Sequence, residues 1–527
     1  MSNFMEAMKN MIDDVYNVSI TENGAVGYRT TNKPLLDMNF KVSSYRKMSV
    51  EDITADFMAA FHTDKVLAMQ WLFYVRDCRE GLGERRLFRE VLKHLAKVSP
   101  HTVLAVIPYI AEYGRYDDLW VLLEDVHPQV TSEVLHLVKT RLSEDISCTL
   151  ENKPISLLAK WLPSANASSN TTKRYAAIIR KSLGVSEKKY RKTLSTLRKY
   201  TNVVETKMSA KQWSEIDYEA VPSKANLIYN GAFLRNDEIR RREYLGALSK
   251  GEVKINASTL FPHEIVHRYS EGNYWNTRYK SMTDATLEGL WKALPDTVKG
   301  EGGTIVVADG SGSMNDRIDR NSEVSALDVA HSLAIYFAER MSGQFKDKFI
   351  TFSETPQFVD LSNGKTLLDK LNIAARHTKV ANTNIEAVFD LILKTAIENG
   401  MSQTDLPKNI LIISDMEFDG CAVGGTPTTD YWGHVRYRER ADAKLFKVIA
   451  EKFARAGYLM PRLVFWNVNS RTGTIPVKEN DLGVALVSGF SPNVAKMVMS
   501  GKTDPYECLL ETLNSPRYLP IKEALLG

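Results

Sequence analysis

The hydrophobic pattern of this 527-residue chain changes its period once, and that change limits the fold more than any other feature. Up to about residue 295, apolar side chains recur at the three- and four-residue spacing of helices. "TDKVLAMQWLFYVRD" (63–77) is apolar almost all round, as a helix packed between neighbours would be. "GERRLFREVLKHLAKV" carries Leu87, Val91, Leu92 and Leu95 on one stripe, and "TVLAVIPYIAEYG", "DDLWVLLEDV" and "VTSEVLHLVKTRLSEDI" follow after short turns. Beyond the Gly-, Pro- and charge-rich "PDTVKGEGG" (295–303), the pattern becomes short apolar runs: "GTIVVADGS", "DKFITFS", "KNILIISDM", "PRLVFWNV" and "GVALVSG". Helical stretches separate them, which indicates a parallel sheet covered on both faces. The chain is also too long for one ordinary core.

The fold class expected is therefore multidomain, α and α/β. Residues 1–45 form an N-terminal helix and extended segment, residues 46–298 an α-helical, HEAT-like array, and residues 299–527 a doubly wound, Rossmann-like domain. No clean repeat period supports the array, so it rests on the succession of short-linked helices. Composition excludes several other classes. With 44% hydrophobic and 25% charged residues the chain is globular and not disordered. Cys78, Cys148, Cys421 and Cys508 are scattered and form no CxxC pair, which argues against a disulfide framework or zinc ribbon. No run of about eighteen apolar residues suggests a membrane span. The opening "MSNFMEAMKNMIDDVYNV" has no signal-peptide core, so a cytoplasmic location is expected.

The richest stretch is "TIVVADGSGSMNDR" (304–317), where a buried strand runs into an acidic, hydroxyl-rich turn. Asp309, Ser311 and Ser313 alternate with Gly310 and Gly312, which would let three side chains face inward from one tight loop. Ligands of open α/β sheets bind outside the carboxyl ends of the strands. Two more oxygen donors stand at such ends: Thr383 in "VANTNIEAV" and Asp415 closing "NILIISD". Carboxylates with hydroxyls are hard ligands, suited to Mg2+, Mn2+ or Ca2+. The same residues also read as a capped turn without metal.

"DGSGS", the Thr383 loop and "IISD" resemble the metal-ion-dependent adhesion site of a von Willebrand factor A domain. The resemblance implies that Asp309, Ser311, Ser313, Thr383 and Asp415 hold one divalent cation, with an open position taken by a partner's carboxylate. "ANTN" departs from the more glycine-rich loop of many relatives. "TENGAVGYRTTNKPLLDMNF", "FYVRDCREGLGERRLFREVL", "EYGRYDDLW", "YRKTLSTLRKY", "SDMEFD" and "LVFWNV" resemble proteins related to the Ro autoantigen, which join a helical TROVE-type array to a C-terminal von Willebrand A domain. Ro proteins bind non-coding RNA on the outside of a helical ring and single-stranded RNA ends in its hole, and act without catalysis. Kinship implies the same class of function here.

Charge distribution bears on that implication. Between Lys173 and Lys199 stand ten basic residues (Lys173, Arg174, Arg180, Lys181, Lys188, Lys189, Arg191, Lys192, Arg198 and Lys199) and one acid, Glu187, in a chain of net charge +4. Such a segment can neutralise phosphates without reading bases. It also reads as a solvated helix pair. A second cluster, Arg235 with Arg240, Arg241 and Arg242, has Asp237, Glu238 and Glu243 beside it and reads as intrahelical pairing.

"FPHEIVHRY" contains His263, Glu264 and His267 in HExxH spacing, which on a helix could bind zinc, with Glu288 as a conceivable third ligand. The economical reading is structural: Pro262 and Glu264 both suit a helix start. No nucleophile–base set accompanies the strand ends, and His331 and His377 stand alone. The reading is an RNA-binding scaffold with a divalent-cation site. A metal-dependent protein-interaction module without RNA is the alternative, and a zinc peptidase comes third.

Overall fold

The computed structural model describes residues 17–20, 26–271, 278–298, 303–319, 322–353, 355–377, 385–417, 428–429, 435–436, 441–471, 473, 475, 484–495, 497 and 504–527. The chain forms two compact units, Met1–Ser49 with Leu260–Thr512, and Val50–Thr259 with Leu513–Gly527. One is α/β and the other helical. The boundaries differ from the sequence-based ones: residues 1–49 and 260–298 group with the α/β unit, and residues 513–527 with the helical one.

The described strands are β1 (Val18–Ile20), β2 (Val26–Tyr28), β3 (Thr304–Asp309), β4 (Lys348–Phe352), β5 (Phe358–Asp360), β6 (Asn409–Ser414), β7 (Thr428–Thr429), β8 (Val435–Arg436), β9 (Arg462–Asn467) and β10 (Val484–Ser488). Six of them form one sheet in the order β10-β9-β6-β3-β4-β5. Its pairs are parallel except β4 with the edge strand β5. Counted along the chain, this is the 3-2-1-4-5-6 order of doubly wound folds. All six residues of β3 are buried, as a strand covered on both faces requires.

Ile305 and Val307 of β3 share a core with Val388, Phe389, Ile449 and Phe453 from the helices Ile385–Glu398 and Ala441–Arg455. Side chains alternate along a strand, so Val306 and Ala308 face the opposite layer. There the helix Ala326–Arg340 packs, buried continuously from Ala326 to Ala338, with Phe337 edge-on to Trp466 at 5.6 Å. The N-terminal segment joins the first layer. Tyr28 and Phe40 belong to its core, Tyr28 exchanges backbone hydrogen bonds with Ile475, and Ser43 donates to Asn467 Oδ1 at 3.0 Å. Residues 1–16 lie outside the described residues.

In the helical unit, Lys65–Arg76 is buried without interruption from Ala68 to Arg76, and Asp64 caps it by accepting from Leu67 N at 2.9 Å. The stripe Leu87, Val91, Leu92 and Leu95 is buried on Arg86–Val98. Asp118 caps the turn Tyr116–Leu122 by accepting from Arg115 N at 3.0 Å, whereas Asp117 pairs with Arg89 and Arg115. The chain end returns here: Gln70 Nε2 donates to Leu513 O at 2.9 Å and Arg517 Nε to Asp77 at 2.8 Å. Arg242 pairs with Glu238 at 2.8 Å along its helix as expected, but Arg241 is buried among Tyr218, Phe233 and Tyr244.

The central electrostatic joint of this unit is Asp118. Its carboxylate is fully buried and accepts from Arg76 Nη2 at 2.7 Å and Arg89 Nε at 2.6 Å. Removing one member of such a network leaves a buried charge uncompensated. Asp118→Asn should therefore lower the stability of the helical unit by about 3 kcal/mol. Hydrogen exchange of the amides in Lys65–Arg76 and Arg86–Val98 would report it as faster opening.

Candidate metal centre

β3 and β6 lie side by side at the point where the strand order reverses, with Ala308 opposite Ile413. Asp309 therefore emerges beside Ser414, and Asp415 follows at once. Ser414 Oγ donates to Asp309 Oδ2 at 2.5 Å, and Ser311 N donates to Asp309 Oδ1 at 2.8 Å. Ser311 and Ser313 hydroxyls are 3.1 Å apart, and the Ser313 hydroxyl is among the groups that favour the charged form of the Asp415 carboxyl. The four described members of the expected set, Asp309, Ser311, Ser313 and Asp415, are thus brought together. Thr383 lies outside the described residues. Gly310 and Gly312 do not take the left-handed backbone, and the loop closes as a 3-10 turn over Gly312–Asn315.

Asp309 and Asp415 are each only 1% exposed. Asp415 Oδ1 accepts from Glu417 N at 3.2 Å, but Oδ2 is buried with no hydrogen bond. Arg471 Nη2 lies 3.7 Å from Oδ2, and the same guanidinium reaches Asp316 Oδ2 at 3.0 Å. Burial, with the negative charge of Asp309 next, pushes the Asp415 carboxyl up to about 7. Lys47 stands close by, its ammonium pushed below the usual lysine range by burial against the opposing pull of Asp316.

Two buried carboxylates and two hydroxyls make an oxygen-only, hard donor set with negative charge in surplus, which fits Mg2+, Mn2+ or Ca2+ and not zinc. Among the described residues no group of three His, Cys, Asp or Glu side chains is placed to hold a metal. A cation here would rest on hydroxyls as much as on carboxylates. Sequence reasoning missed Ser414, Lys47, Asp316 and Arg471. Ser414 could have been found from its place beside Asp415; Arg471 carries no local signal.

The HExxH residues are engaged elsewhere. Glu264 accepts from Phe261 N at 3.2 Å and caps its own short helix, Pro262–Val266. His267 Nδ1 meets Asp328 Oδ2 at 2.9 Å, and the buried His263 ring stacks on Phe261. Glu288 accepts from Tyr269 Oη at 2.8 Å and from Leu367 N at 2.8 Å. His331 shares a hydrogen bond with Tyr279 Oη at 2.8 Å, and burial pushes its imidazole down to about 4, so it is neutral at pH 7. His377 Nδ1 lies 3.2 Å from Gln357 Oε1.

The basic segment is two helices, Asn170–Ser182 and Glu187–Tyr200, joined at Gly184, whose φ of +64° a side chain would resist. Tyr190, Leu194 and Leu197 are buried and the lysines face outward. Lys173, Lys181, Lys188, Lys189, Lys192 and Lys199 are exposed, with no ion-pair partner among the described residues. Three arginines are held by partners within the unit. Arg174 pairs with Glu124, and Arg180 Nη1 reaches Val185 O at 3.4 Å. Arg198 is a structural clamp, donating to Ala159 O at 2.8 Å, Leu162 O at 2.7 Å and Ser164 Oγ at 3.0 Å. Arg191 lies 3.9 Å from Glu187.

Two family models match the chain. The domain of unknown function DUF2828 matches residues 21–123 and 124–304, and a second domain of unknown function, DUF7788, matches residues 303–513. The two matches meet at the start of β3. The chain is also 29% identical over 534 residues to an uncharacterized protein of Acanthamoeba polyphaga mimivirus, covering 94% of this chain and 87% of that one.

Asp415 has a higher affinity for its proton folded than unfolded, so raising the pH from about 4 through about 7 charges it at the expense of stability. In chelator the melting temperature should fall across that window, and millimolar Mg2+ should restore it at pH 7.5. Asp415→Asn should be more stable in chelator by about 1–3 kcal/mol and should lose both responses. Differential scanning calorimetry would read all three; a pH-independent melting temperature in chelator would contradict the assignment. Glu264→Gln should cost no more than about 1 kcal/mol, as a lost helix cap does, and leave bound metal, measured by emission spectroscopy, unchanged.

Proposed function

The chain belongs to the family of the domain of unknown function DUF2828, and from that premise we propose that it is a non-catalytic binding protein with two kinds of site. The α/β unit holds a divalent cation, Mg2+ or in its place Mn2+ or Ca2+, and the helical unit binds RNA. One observation carries the first half. Asp415 Oδ2 is a buried carboxylate oxygen without a hydrogen bond, beside the buried Asp309, at the switch point of a doubly wound sheet. Burying such a pair is costly unless a cation compensates it. The strand order and the DxSxS loop favour a von Willebrand A-like domain, in which Asp309, Ser311, Ser313 and Asp415 hold the cation and a partner's carboxylate completes its coordination.

RNA is the second half, and the six exposed lysines of the helix pair favour it. They offer mobile positive charge at the surface and make no side-chain pairs that would have to break. Phosphate contact through such groups is sequence-independent and salt-dependent. The reading is Ro-like: a cytoplasmic scaffold for non-coding or single-stranded RNA, its helices a TROVE-type, HEAT-like array. A metal-dependent interaction module without RNA differs from it in one outcome, the absence of nucleic acid.

Isothermal titration with Mg2+, Mn2+ and Ca2+ should give one site per chain, abolished by Asp309→Ala. Protein purified from its native cells should carry nucleic acid, visible as a raised 260/280 nm absorbance ratio, and its affinity for single-stranded RNA should fall steeply with salt. Replacing Lys188, Lys189 and Lys192 together by Ala should reduce the logarithmic salt slope by about two, at ~0.7 per phosphate contact on a single strand. Protein without nucleic acid and without salt-dependent RNA affinity would leave only the interaction module.

A further inference from the structure

The helical unit contains a cluster of arginines outside the basic helix pair. Asp118 is shared by Arg76 and Arg89, and Asp117 by Arg89 and Arg115. Both carboxylates are thereby used up. Arg85 precedes Arg89 by four residues, one helical turn. It is exposed, and its side chain makes no hydrogen bond or ion pair among the described residues. Four guanidinium groups thus stand against two carboxylates, and the surplus is positive.

The geometry keeps the surplus in place. Arg115 is held bidentately by Asp117, through Nε at 2.8 Å and Nη2 at 2.7 Å, and its guanidinium lies over the Trp161 ring at 4.1 Å. Arg89 is anchored to the buried Asp118. Neither can swing away from Arg85. The repulsion is felt: partial desolvation of this exposed side chain first, then the charges of Arg89 and Arg115, hold the Arg85 guanidinium below its usual range in spite of Asp117 and Asp118. An anion would relieve this repulsion, and Arg85 is the member of the cluster that is exposed and makes no side-chain hydrogen bond or ion pair among the described residues. Arg198 clamps the Ala159–Ser164 stretch to the lysine-bearing helix, so Trp161 links the two basic regions.

We propose that Arg85 is the hydrogen-bonding residue of a phosphate site on the helical unit, with Arg89 and Arg115 supplying its positive field, and that its ligand is a backbone phosphate of the RNA bound by the helix pair. The site rests on the RNA reading for its ligand. A guanidinium suits it because its planar donors match two phosphate oxygens at once. Arg85 would form these bonds, while Arg89 and Arg115 keep their carboxylates.

The test uses the full chain with Arg85→Ala and Arg85→Lys, melted in a phosphate-free buffer and titrated with sodium phosphate against sodium chloride at equal ionic strength. The wild type should rise in melting temperature with phosphate more than with chloride. Arg85→Ala should melt no lower than the wild type without phosphate and should lose the phosphate-specific rise, and Arg85→Lys should keep part of it. A variant that melts lower or fails to fold would overturn the proposal, because Arg85 would then be a structural partner. Binding to a single-stranded oligouridine, measured against salt, should weaken severalfold in Arg85→Ala and lose roughly 0.7 from the slope. Wild type and Arg85→Ala binding with equal slope would overturn the phosphate site and leave the RNA reading standing. A wild type that binds no oligonucleotide at any salt would overturn both.

Discussion

Two carboxylates at the ends of adjacent buried strands set the terms for the α/β unit. Asp309 and Asp415 cannot avoid each other, because β3 and β6 are in parallel register and both end at the same edge. Nor can they reach water, each being 1% exposed. The Ser414 hydroxyl and the amides of Ser311 and Glu417 satisfy most of their oxygens. Hydrogen bonds do not remove a like charge, however, and one oxygen remains without a donor. The fold thus stores an unfavourable interaction at the place where open α/β sheets bind ligands. Arg471 offsets it only partly, since at 3.7 Å it makes no hydrogen bond to Asp415 and is shared with Asp316.

The helical unit handles charge in the opposite sense. Its buried Asp77 and Asp118 are engaged by arginines, Arg517 at the first and Arg76 with Arg89 at the second, and the arginines and lysines beyond them leave a positive surplus. The lysines of the helix pair project from a narrow apolar stripe of Tyr190, Leu194 and Leu197, which leaves most of the helix circumference to charge. Arg198, in the same run of basic residues, serves the fold through three hydrogen bonds. Counting charges along a segment measures its field, but it does not separate the side chains that hold the structure from those offered to a ligand.

Five strands of the large sheet and most of the helices were legible, because continuous apolar runs and helical stripes are local signals. β5 was not. Its three residues alternate exposed, buried, exposed around Val359, too few to establish a period, and β4 alone holds it in the sheet. The helix Leu367–His377 also escaped, although Thr366 and Asp369 cap it locally; the carboxylate of Glu288, distant in sequence, adds bonds to its first turn. The HExxH spacing was legible and misleading. Two histidines four apart share a face only if a helix carries them through, and this helix ends at Val266, with His267 turned to Asp328.

The sequence by itself determined the change from helical to strand period, the strand on which Asp309 stands, the oxygen-rich loop after it and the strand that ends before Asp415. These follow from side-chain spacing within a dozen residues. Only the tertiary structure decided that β3 and β6 are neighbours, that Arg471 and Lys47 come to stand beside them, and that the first and last segments each join a unit remote from them in sequence. Those outcomes depend on strand order and on contacts between residues hundreds of positions apart, which leave no trace in any local pattern.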